Sequence, residues 1–328
     1  MPKVLITGGA GYFGSVTAHF LHRRGYEVVI VDDLSRGYEH NVLGFALHKL
    51  HLSETEALAN LLSRERVDAV VHFAAYASVE ESTKSPDVYF LNNAGGSASL
   101  LSAMIQANVK RLVFSSTCAV YGAPKVVPIP EGLPFDPVNP YGESKVLVEK
   151  MLKWVDNSGG LRSIALRYFN ACGSDTETGL GEEHEPETHL IPLLIRAVIT
   201  QRPMTIFGDD YDTPDGTCIR DYIHVTDLAE AHVVAIENLL AGGASDVFNV
   251  GTGAGHSIRE VMRAVEEVSG QRVPHEIGPR RAGDPAVLVA NSHKLNRMLR
   301  WKPKFMQLKD IVATAWQFAN ERAGVHER

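Results

Sequence analysis

Two textures alternate along this chain. Short apolar, β-rich runs stand at Lys3 to Thr7, Val28 to Val31, Ala69 to Ala75, Arg111 to Ser116 and Ser163 to Phe169. Between them, Tyr12 to Arg24, Glu54 to Arg66, Pro86 to Asn108 and Pro140 to Trp154 carry the three-to-four-residue apolar spacing of helices. The run AVVHFAA, Ala69 to Ala75, is apolar throughout, as expected of a strand covered on both faces of a parallel sheet. Strand and helix in strict alternation predict an α/β fold built on a doubly wound parallel sheet. Leu34 to Leu50 shows no clean period, and the small residues Ala94 to Ala98 inside the long helix predict close packing there.

Beyond Asn170 the texture changes. Gly173 to Thr188 is polar and acidic, Leu190 to Gln201 reads as a helix, and Gly208 to Tyr222 (GDDYDTPDGTCIRDY) as a long loop of functional rather than connecting character. Thr226 to Leu240 and Ser257 to Ser269 read as helices, Val247 to Val250 as a strand, and the tail as a basic turn, Pro279 to Asp284, followed by two more helices. The expected division is a nucleotide-binding domain over 1–170, its sheet completed by parts of 219–250, and a smaller mixed α/β substrate domain over 171–328.

The length of 328 residues accommodates two such domains, and 45% apolar with 22% charged residues is ordinary for a globular chain. A formal charge of −7 leaves no basic excess, so nucleic acid is not expected as a partner, and an anionic ligand must be met by local arginines. Cys118, Cys172 and Cys218 are scattered and fit a reducing compartment better than a disulfide framework. No apolar run reaches spanning length and no signal peptide is recognised, so no membrane partner and a cytoplasmic location are expected. His184 and His189 lie among Glu182, Glu183, Glu185 and Glu187, but without helical or fingered ligand spacing. A solvated acidic loop is expected there, and no metal.

The first candidate chemistry is the glycine-dense turn between the first run and the first helix. Gly8, Gly9, Gly11 and Gly14 satisfy both G-x-G-x-x-G and G-x-x-G-x-x-G. Without Cβ atoms such a turn brings backbone close to a pyrophosphate at a helix N-terminus, and the acids Asp32 and Asp33 at the end of the next strand suit an adenosine ribose. Together they identify a Rossmann-type dinucleotide site. The second candidate is Tyr141 with Lys145, four apart on the helix opened by Pro140 and therefore on one face. Tyr121 and Lys125 share that spacing, but Gly122 and Pro124 make their segment a loop. A phenol near pKa 10 becomes a usable base only beside positive charge, which an ammonium and a cationic nicotinamide supply. Thr117, ending the preceding strand, offers a hydroxyl to relay a proton.

On these residues the whole chain resembles the extended short-chain dehydrogenase/reductase family. The resemblance is carried by TGGAGYFG (Thr7 to Gly14), Asn92, SST (Ser115 to Thr117), YGESK (Tyr141 to Lys145), RYFN (Arg167 to Asn170) and FNVG (Phe248 to Gly251). The most specific segment, Ile206 to Leu228, points within the family to enzymes that epimerise UDP-hexoses or UDP-pentoses at C4. Related dehydratases and decarboxylases place an acid directly after the Thr, whereas this chain has Cys118 there. The resemblance implies NAD as cofactor and interconversion of UDP-glucose and UDP-galactose. Tyr141, directly or through Thr117, takes the 4-hydroxyl proton as hydride passes to NAD, and the 4-keto sugar turns over before it is reduced again.

It further implies a cofactor site formed by Gly8, Gly11, Tyr12, Phe13 and Gly14, by Asp32, Asp33, Leu34 and Ser35, and by His51 and Leu52. Phe73, Ala74, Ala75, Ala77, Asn92, Ser115, Tyr141, Lys145 and Tyr168 complete it. For the substrate it implies Phe207 against uracil, Arg220 and Arg281 on the diphosphate, Asp284 on the uridine ribose, and Asn170 and His189 as further contacts. Thr117, Tyr141, Phe169, Leu190, Thr205, Asn249 and Leu288 complete that set, with Leu288 where side-chain size governs admission of a 2-acetamido group. A homodimer through the helices bearing Asn92 and Tyr141 is implied as well. His51 stands where the family often has Asp near adenine, and Ala77 where it often has Lys near a cofactor phosphate. Alternatives within this reading are a UDP-xylose/UDP-arabinose or broad-specificity 4-epimerase, and a catalytically inactive NAD-binding regulator.

Overall fold

β-Branched runs that are apolar on both sides must be covered on both faces, and the computed structural model shows how. It describes residues 1–281 and 283–326. The N-terminal half runs β1 (Lys3–Thr7), α1 (Tyr12–Arg23), β2 (Glu27–Val31), β3 (Ala46–His48), α2 (Thr55–Glu65), β4 (Ala69–His72), α3 (Val79–Lys84), α4 (Pro86–Tyr89), α5 (Gly96–Gln106), β5 (Arg111–Thr117), α6 (Pro140–Asn157) and β6 (Arg162–Tyr168). Then follow β7 (Asn170–Cys172), β8 (Ser174–Asp175), β9 (Leu180–Gly181), α7 (Leu190–Thr200), β10 (Met204–Phe207), β11 (Ile219–His224), α8 (Val225–Leu240), β12 (Asp246–Val250), β13 (Gly255–Ser257), α9 (Ile258–Ser269), β14 (His275–Gly278), β15 (Val287–Leu288), α10 (His293–Leu299) and α11 (Leu308–His326).

Seven strands form one parallel sheet in the order β12-β6-β5-β4-β1-β2-β3. Val4, Ile6, Ile30 and Val71 face one core with residues of α1 and α8, and Leu5, Val29, Val70 and Leu112 face another with residues of α2, α5 and α6. The strand order reverses between β1 and β4, and a crevice beyond the carboxyl ends of strands at such a point is the ligand site of doubly wound sheets. The sequence-predicted strand and helix series holds, and β12 supplies the seventh strand.

Four local readings change. The strand at Ala69 stops at His72, because Ala74 N already donates back to Thr7 O and turns the chain into the crevice. The long helix from Pro86 is interrupted by a π-helical turn, Phe90–Gly95, a wider winding that commonly re-aims side chains at functional sites. The aperiodic stretch after Leu34 holds the short edge strand β3. The loop expected over Gly208 to Tyr222 gives way to β11 from Ile219.

In the C-terminal half β11 is the hub. It pairs antiparallel with β13 and parallel with β7 and β15, which sets Tyr222 opposite Asn170 and Arg220 opposite Leu288. Its core joins α7, α9 and α11. α9 shows why: a capping box between Ser257 and Glu260 closes its first turn, and Ile258, Val261, Met262 and Val265 bury one stripe. Of the basic turn at Pro279 to Asp284, Ala282 lies outside the described residues.

Three histidines are buried by this packing. His72 bridges Thr7 Oγ1 at 2.7 Å and Ser97 Oγ at 2.9 Å, His224 stacks on Phe305, and His232 lies under Phe73 and Tyr168. Burial lowers His72 to about 3 and His224 and His232 to about 4. Their unfolded value lies near 6.5, so between that pH and about 4 the unfolded chain binds more protons, and stability falls as pH falls. From pH 6.5 to 5.5 we expect a loss of roughly 1 kcal/mol for each histidine. Urea midpoints at the two pH values measure it, and equal midpoints would contradict it.

Candidate active site

The site starts at the β1–α1 turn. Gly8 has φ +72°, and a Cβ there would meet Ala74 N at 2.6 Å; at Gly14 a Cβ would run into Gly8 O and Gly9 Cα. Gly11, at the N-cap of α1, has no close neighbour in the Cβ direction beyond Gly8 O at 3.4 Å. The first amides of α1 are therefore approachable by an anion, the arrangement that suits a pyrophosphate. Asp32, 8% exposed, ends β2 with Oδ2 accepting from Ala10 N at 2.9 Å and Oδ1 from Leu34 N at 2.8 Å. Burial raises its pKa, and those two N–H groups hold it back toward the ionised form.

A cleft with about 160 Å³ of open space runs from this turn across the sheet. Gly8, Gly11, Tyr12, Phe13, Gly14, Asp32, Asp33, Ser35, His51, Leu52, Phe73, Ala74, Ala75, Ala77, Asn92, Ser115, Tyr141, Lys145 and Tyr168 line it, as expected of the cofactor positions. Leu34 does not; it turns through a left-handed φ of 59° and packs against the apolar core. Val31, Arg36, Gly37, Leu50, Tyr76 and His184 also line the cleft, though none was expected among the cofactor positions. His184 and Tyr76 come from polar loops whose path only the fold decides. Arg36 sits at the rim, paired with Glu81 Oε1 at 2.6 Å and over the Tyr76 ring at 5.0 Å. His51 hydrogen-bonds Ser53 at 2.7 Å.

At the far end, Tyr141 and Lys145 sit on the first turns of α6. Asn139 caps that helix through Gly142 N, and Pro140 occupies its first position. Lys145 Nζ donates to Ser115 O at 2.8 Å and lies 5.9 Å from the Tyr141 ring centre. Burial lowers Lys145 to about 7, with the Glu149 carboxylate pulling it back up. Burial pushes Tyr141 up to about 12, opposed by a hydrogen bond with the Thr117 hydroxyl. Without a ligand the phenol therefore keeps its proton at neutral pH, and added positive charge is what would release it.

Behind this pair stands a buried network that spacing did not reveal. Arg167 meets Glu149 at 2.6 and 2.9 Å, and Glu149 accepts from Ser116 Oγ at 2.5 Å, tying the end of β5 to α6. Asn93, in the π-helical turn beside Asn92, bonds both Tyr76 N and Ser144 Oγ and so fixes the cleft wall to α6. The rival pair is excluded: Tyr121 lies in a short 3₁₀ turn, 2% exposed, and bonds Asn249 Oδ1 at 2.7 Å.

The expected substrate residues lie along β7, α7, β10, β11 and β15 and the basic turn before β15. Arg220 Nη2 is 2.5 Å from Asp284 Oδ1, and the guanidinium lies close enough to Cys118 to lower its thiol against the burial that raises it to about 12. Arg281 covers the Phe207 ring at 4.1 Å. Phe169 and Leu288, 5% and 9% exposed, share one apolar cluster with Val120 and Val146. Asn170 opens β7, Thr205 is exposed on β10, and His189 and Leu190 begin α7. Asn249 is fully buried, its amide oxygen accepting from Tyr121 and its amide nitrogen donating to Ile129 O.

The acidic loop is a correction to the solvated loop expected from its charges. Glu182 and Glu187 side chains are 6% and 9% exposed, and their carboxylates face His184 and His189 rather than solvent. For His189, burial would lower the pKa, but Glu182 and Glu187 raise it to about 10; for Glu182, the two imidazoles overcome burial and hold it near about 2.

Comparison with known proteins agrees with this geometry. The chain is 46% identical over 318 residues to a UDP-glucose 4-epimerase of Lactobacillus helveticus, covering 96% of both chains. The structure of UDP-glucose 4-epimerase from Brucella ovis in complex with NAD superposes with a TM-score of 0.94 at 43% identity, over 97% of this chain and 98% of that one. The enzyme from Stenotrophomonas maltophila, with bound NAD and formylated UDP-arabinopyranose, gives 0.95 at 38% identity, over 99% and 100%. The profile of the NAD dependent epimerase/dehydratase family matches residues 4–251, the span from the first strand of the glycine cradle through the last strand of the sheet. With a dinucleotide cradle, a paired Tyr141 and Lys145 and full-length relatives all in agreement, this chain belongs to the NAD dependent epimerase/dehydratase family.

Proposed function

We propose that this chain is an NAD-dependent 4-epimerase that interconverts UDP-glucose and UDP-galactose. The observation that carries the reading is the meeting of the glycine cradle and Asp32 with Tyr141 and Lys145 in one cleft, Thr117 hydrogen-bonded to Tyr141 beside it, in a chain 46% identical to a UDP-glucose 4-epimerase. The residues fit the cofactor: a Cβ would fill the cradle at Gly8 and Gly14, and Asp32, directly after β2, presents a carboxylate that can accept from the hydroxyls of a ribose diol. Bound NAD supplies a hydride acceptor and a positive charge. Tyr141 then takes the proton from the sugar 4-hydroxyl, with Thr117 as relay. Lys145 holds its ammonium between Ser115 O and the phenol ring, favouring the phenolate. Arg220 and Arg281 take the diphosphate, since guanidinium matches phosphate geometry, and Arg220 exchanges Asp284 for it. Asp284, released, is left for the uridine ribose, and Phe207 for uracil.

In this reading residues 1–170 with β12 hold NAD, and 171–328 supply the UDP-sugar contacts. Exposed Val88 and Leu91 on the helical run through Asn92, with Leu147 and Trp154 on α6, favour a homodimer through those two helices. Light scattering on the intact chain tests it, and a monomer of Leu91→Lys in place of a dimer is expected. Three free cysteines favour the cytoplasm. No described helix is long and apolar enough to cross a membrane.

Steady-state rates on UDP-glucose/UDP-galactose and on UDP-xylose/UDP-arabinose test the sugar. The hexose pair is expected to be preferred, and a preference for the pentose pair would transfer the assignment to them. A third comparison concerns Leu288, whose branched apolar side chain offers an acetamide no hydrogen bond. Burying that amide unpaired costs on the order of 1–3 kcal/mol. The wild type should therefore disfavour the N-acetylated pair, and Leu288→Ser should narrow the kcat/KM ratio; an unchanged ratio would remove Leu288 as the gate.

A further inference from the structure

The loop between β9 and α7 carries four side chains that the proposed reaction does not use together. Glu182, His184, Glu187 and His189 each present one donor atom, and these four atoms lie within 4.8 Å of one another. The pairwise separations between imidazole and carboxylate are 2.6 Å (His189 Nδ1 to Glu182), 3.2 Å (His184 Nδ1 to Glu182), 3.4 Å (His189 Nδ1 to Glu187) and 3.9 Å (His184 Nδ1 to Glu187). Donors about 2.0–2.2 Å from a tetrahedral ion stand roughly 3.4 Å apart; the 3.2 and 3.4 Å contacts match that spacing, the 2.6 Å contact is shorter, and Glu187 offers Oε1 to His189 and Oε2 to His184.

A mesh of plain ion pairs would satisfy the imidazoles by hydrogen bonds. Here both Nδ1 atoms are shut off from solvent, yet neither makes a hydrogen bond, although each has a carboxylate oxygen in reach. Each nitrogen lies within reach of a carboxylate oxygen without the geometry of a hydrogen bond to it. Glu187 is oriented from outside, its Oε1 accepting from Thr188 N at 2.7 Å and His189 N at 2.8 Å, the kind of support that fixes a ligand carboxylate.

We propose that Glu182, His184, Glu187 and His189 form a binding site for a divalent cation of borderline softness, zinc being the best fit to two imidazoles and two carboxylates. The four residues span eight positions in one loop, so the ion acts as a strap. It joins the end of β9 to the start of α7 and sets the wall from which His184 reaches the cofactor cleft. The site does not depend on the reaction assigned above.

Cobalt(II) is the probe, because its visible absorption reports coordination number directly. Untagged, chelator-stripped full-length protein is titrated with Co²⁺ alone, beside the near-isosteric variants His184→Asn and Glu187→Gln. The proposal expects one Co²⁺ per chain with four-coordinate absorption bands, displaced by Zn²⁺, and at least ~10-fold weaker binding in each variant that folds. Absence of one-to-one binding, or affinity in a folded variant within ~10-fold of the wild type, would overturn it. Circular dichroism identifies a misfolded variant, and the other then decides.

Discussion

Tyr141→Phe should retain NAD and lose nearly all turnover. The substitution keeps the ring against Lys145 and removes only the oxygen that meets the Thr117 hydroxyl. Asp32, the glycine cradle and Lys145 remain, so the dinucleotide keeps its contacts. Removing one general base typically costs ~10²–10⁴ in rate. Thr117 cannot substitute, because an aliphatic hydroxyl is a far weaker base than a phenolate, and its oxygen already accepts from Ala119 N at 3.1 Å. Steady-state rates alongside an NAD titration check both halves: activity within tenfold of the wild type, or lost NAD binding, would refute the role given to Tyr141.

Asp32 should govern which dinucleotide is held. Its carboxylate already accepts from Ala10 N and Leu34 N, which fixes it at the end of β2 and keeps it facing the cleft. A ribose hydroxyl can donate to it, whereas a 2′-phosphate meets like charge with little water between, which costs several kcal/mol. A difference of about 3 kcal/mol is roughly 100-fold in favour of NAD. Arg36 does not reverse this, because Glu81 neutralises it at the rim. In Asp32→Asn the amide nitrogen must face one of the two backbone N–H donors, so the turn loosens. NAD affinity should then fall ~10-fold or more while the preference over NADP shrinks. Calorimetric titration of both dinucleotides into both proteins measures it, and a wild type that prefers NADP would overturn the assignment.

The legible parts of this molecule are those where local chemistry and global fold agree. The glycine turn, the acid at the end of β2 and the Tyr141–Lys145 helix are each set by contiguous residues, and all three meet in the cleft. What escaped depends on chain path. Asn93 and the Glu149–Arg167 pair lie far from their partners in sequence, and no periodicity announces a buried ion pair. Asn249 belongs to the FNVG motif, yet the partners of its amide, Tyr121 and Ile129 O, lie more than a hundred residues away. The acidic loop misled in the other direction: its charges suggest solvent, while the fold draws Glu182 and Glu187 inward onto two histidines. The π-helical turn at Phe90 leaves no compositional mark, because a wider winding accepts the same helix-forming residues.

A cleft that oxidises and re-reduces a UDP-sugar at C4 with a cofactor it keeps needs no external redox partner. The most direct measurement incubates purified protein with UDP-galactose and no external electron acceptor, following UDP-glucose through a coupled dehydrogenase. UDP-glucose is expected to form over many turnovers, with the same equilibrium reached from either sugar. No UDP-glucose, or product limited to one equivalent per chain, would contradict it.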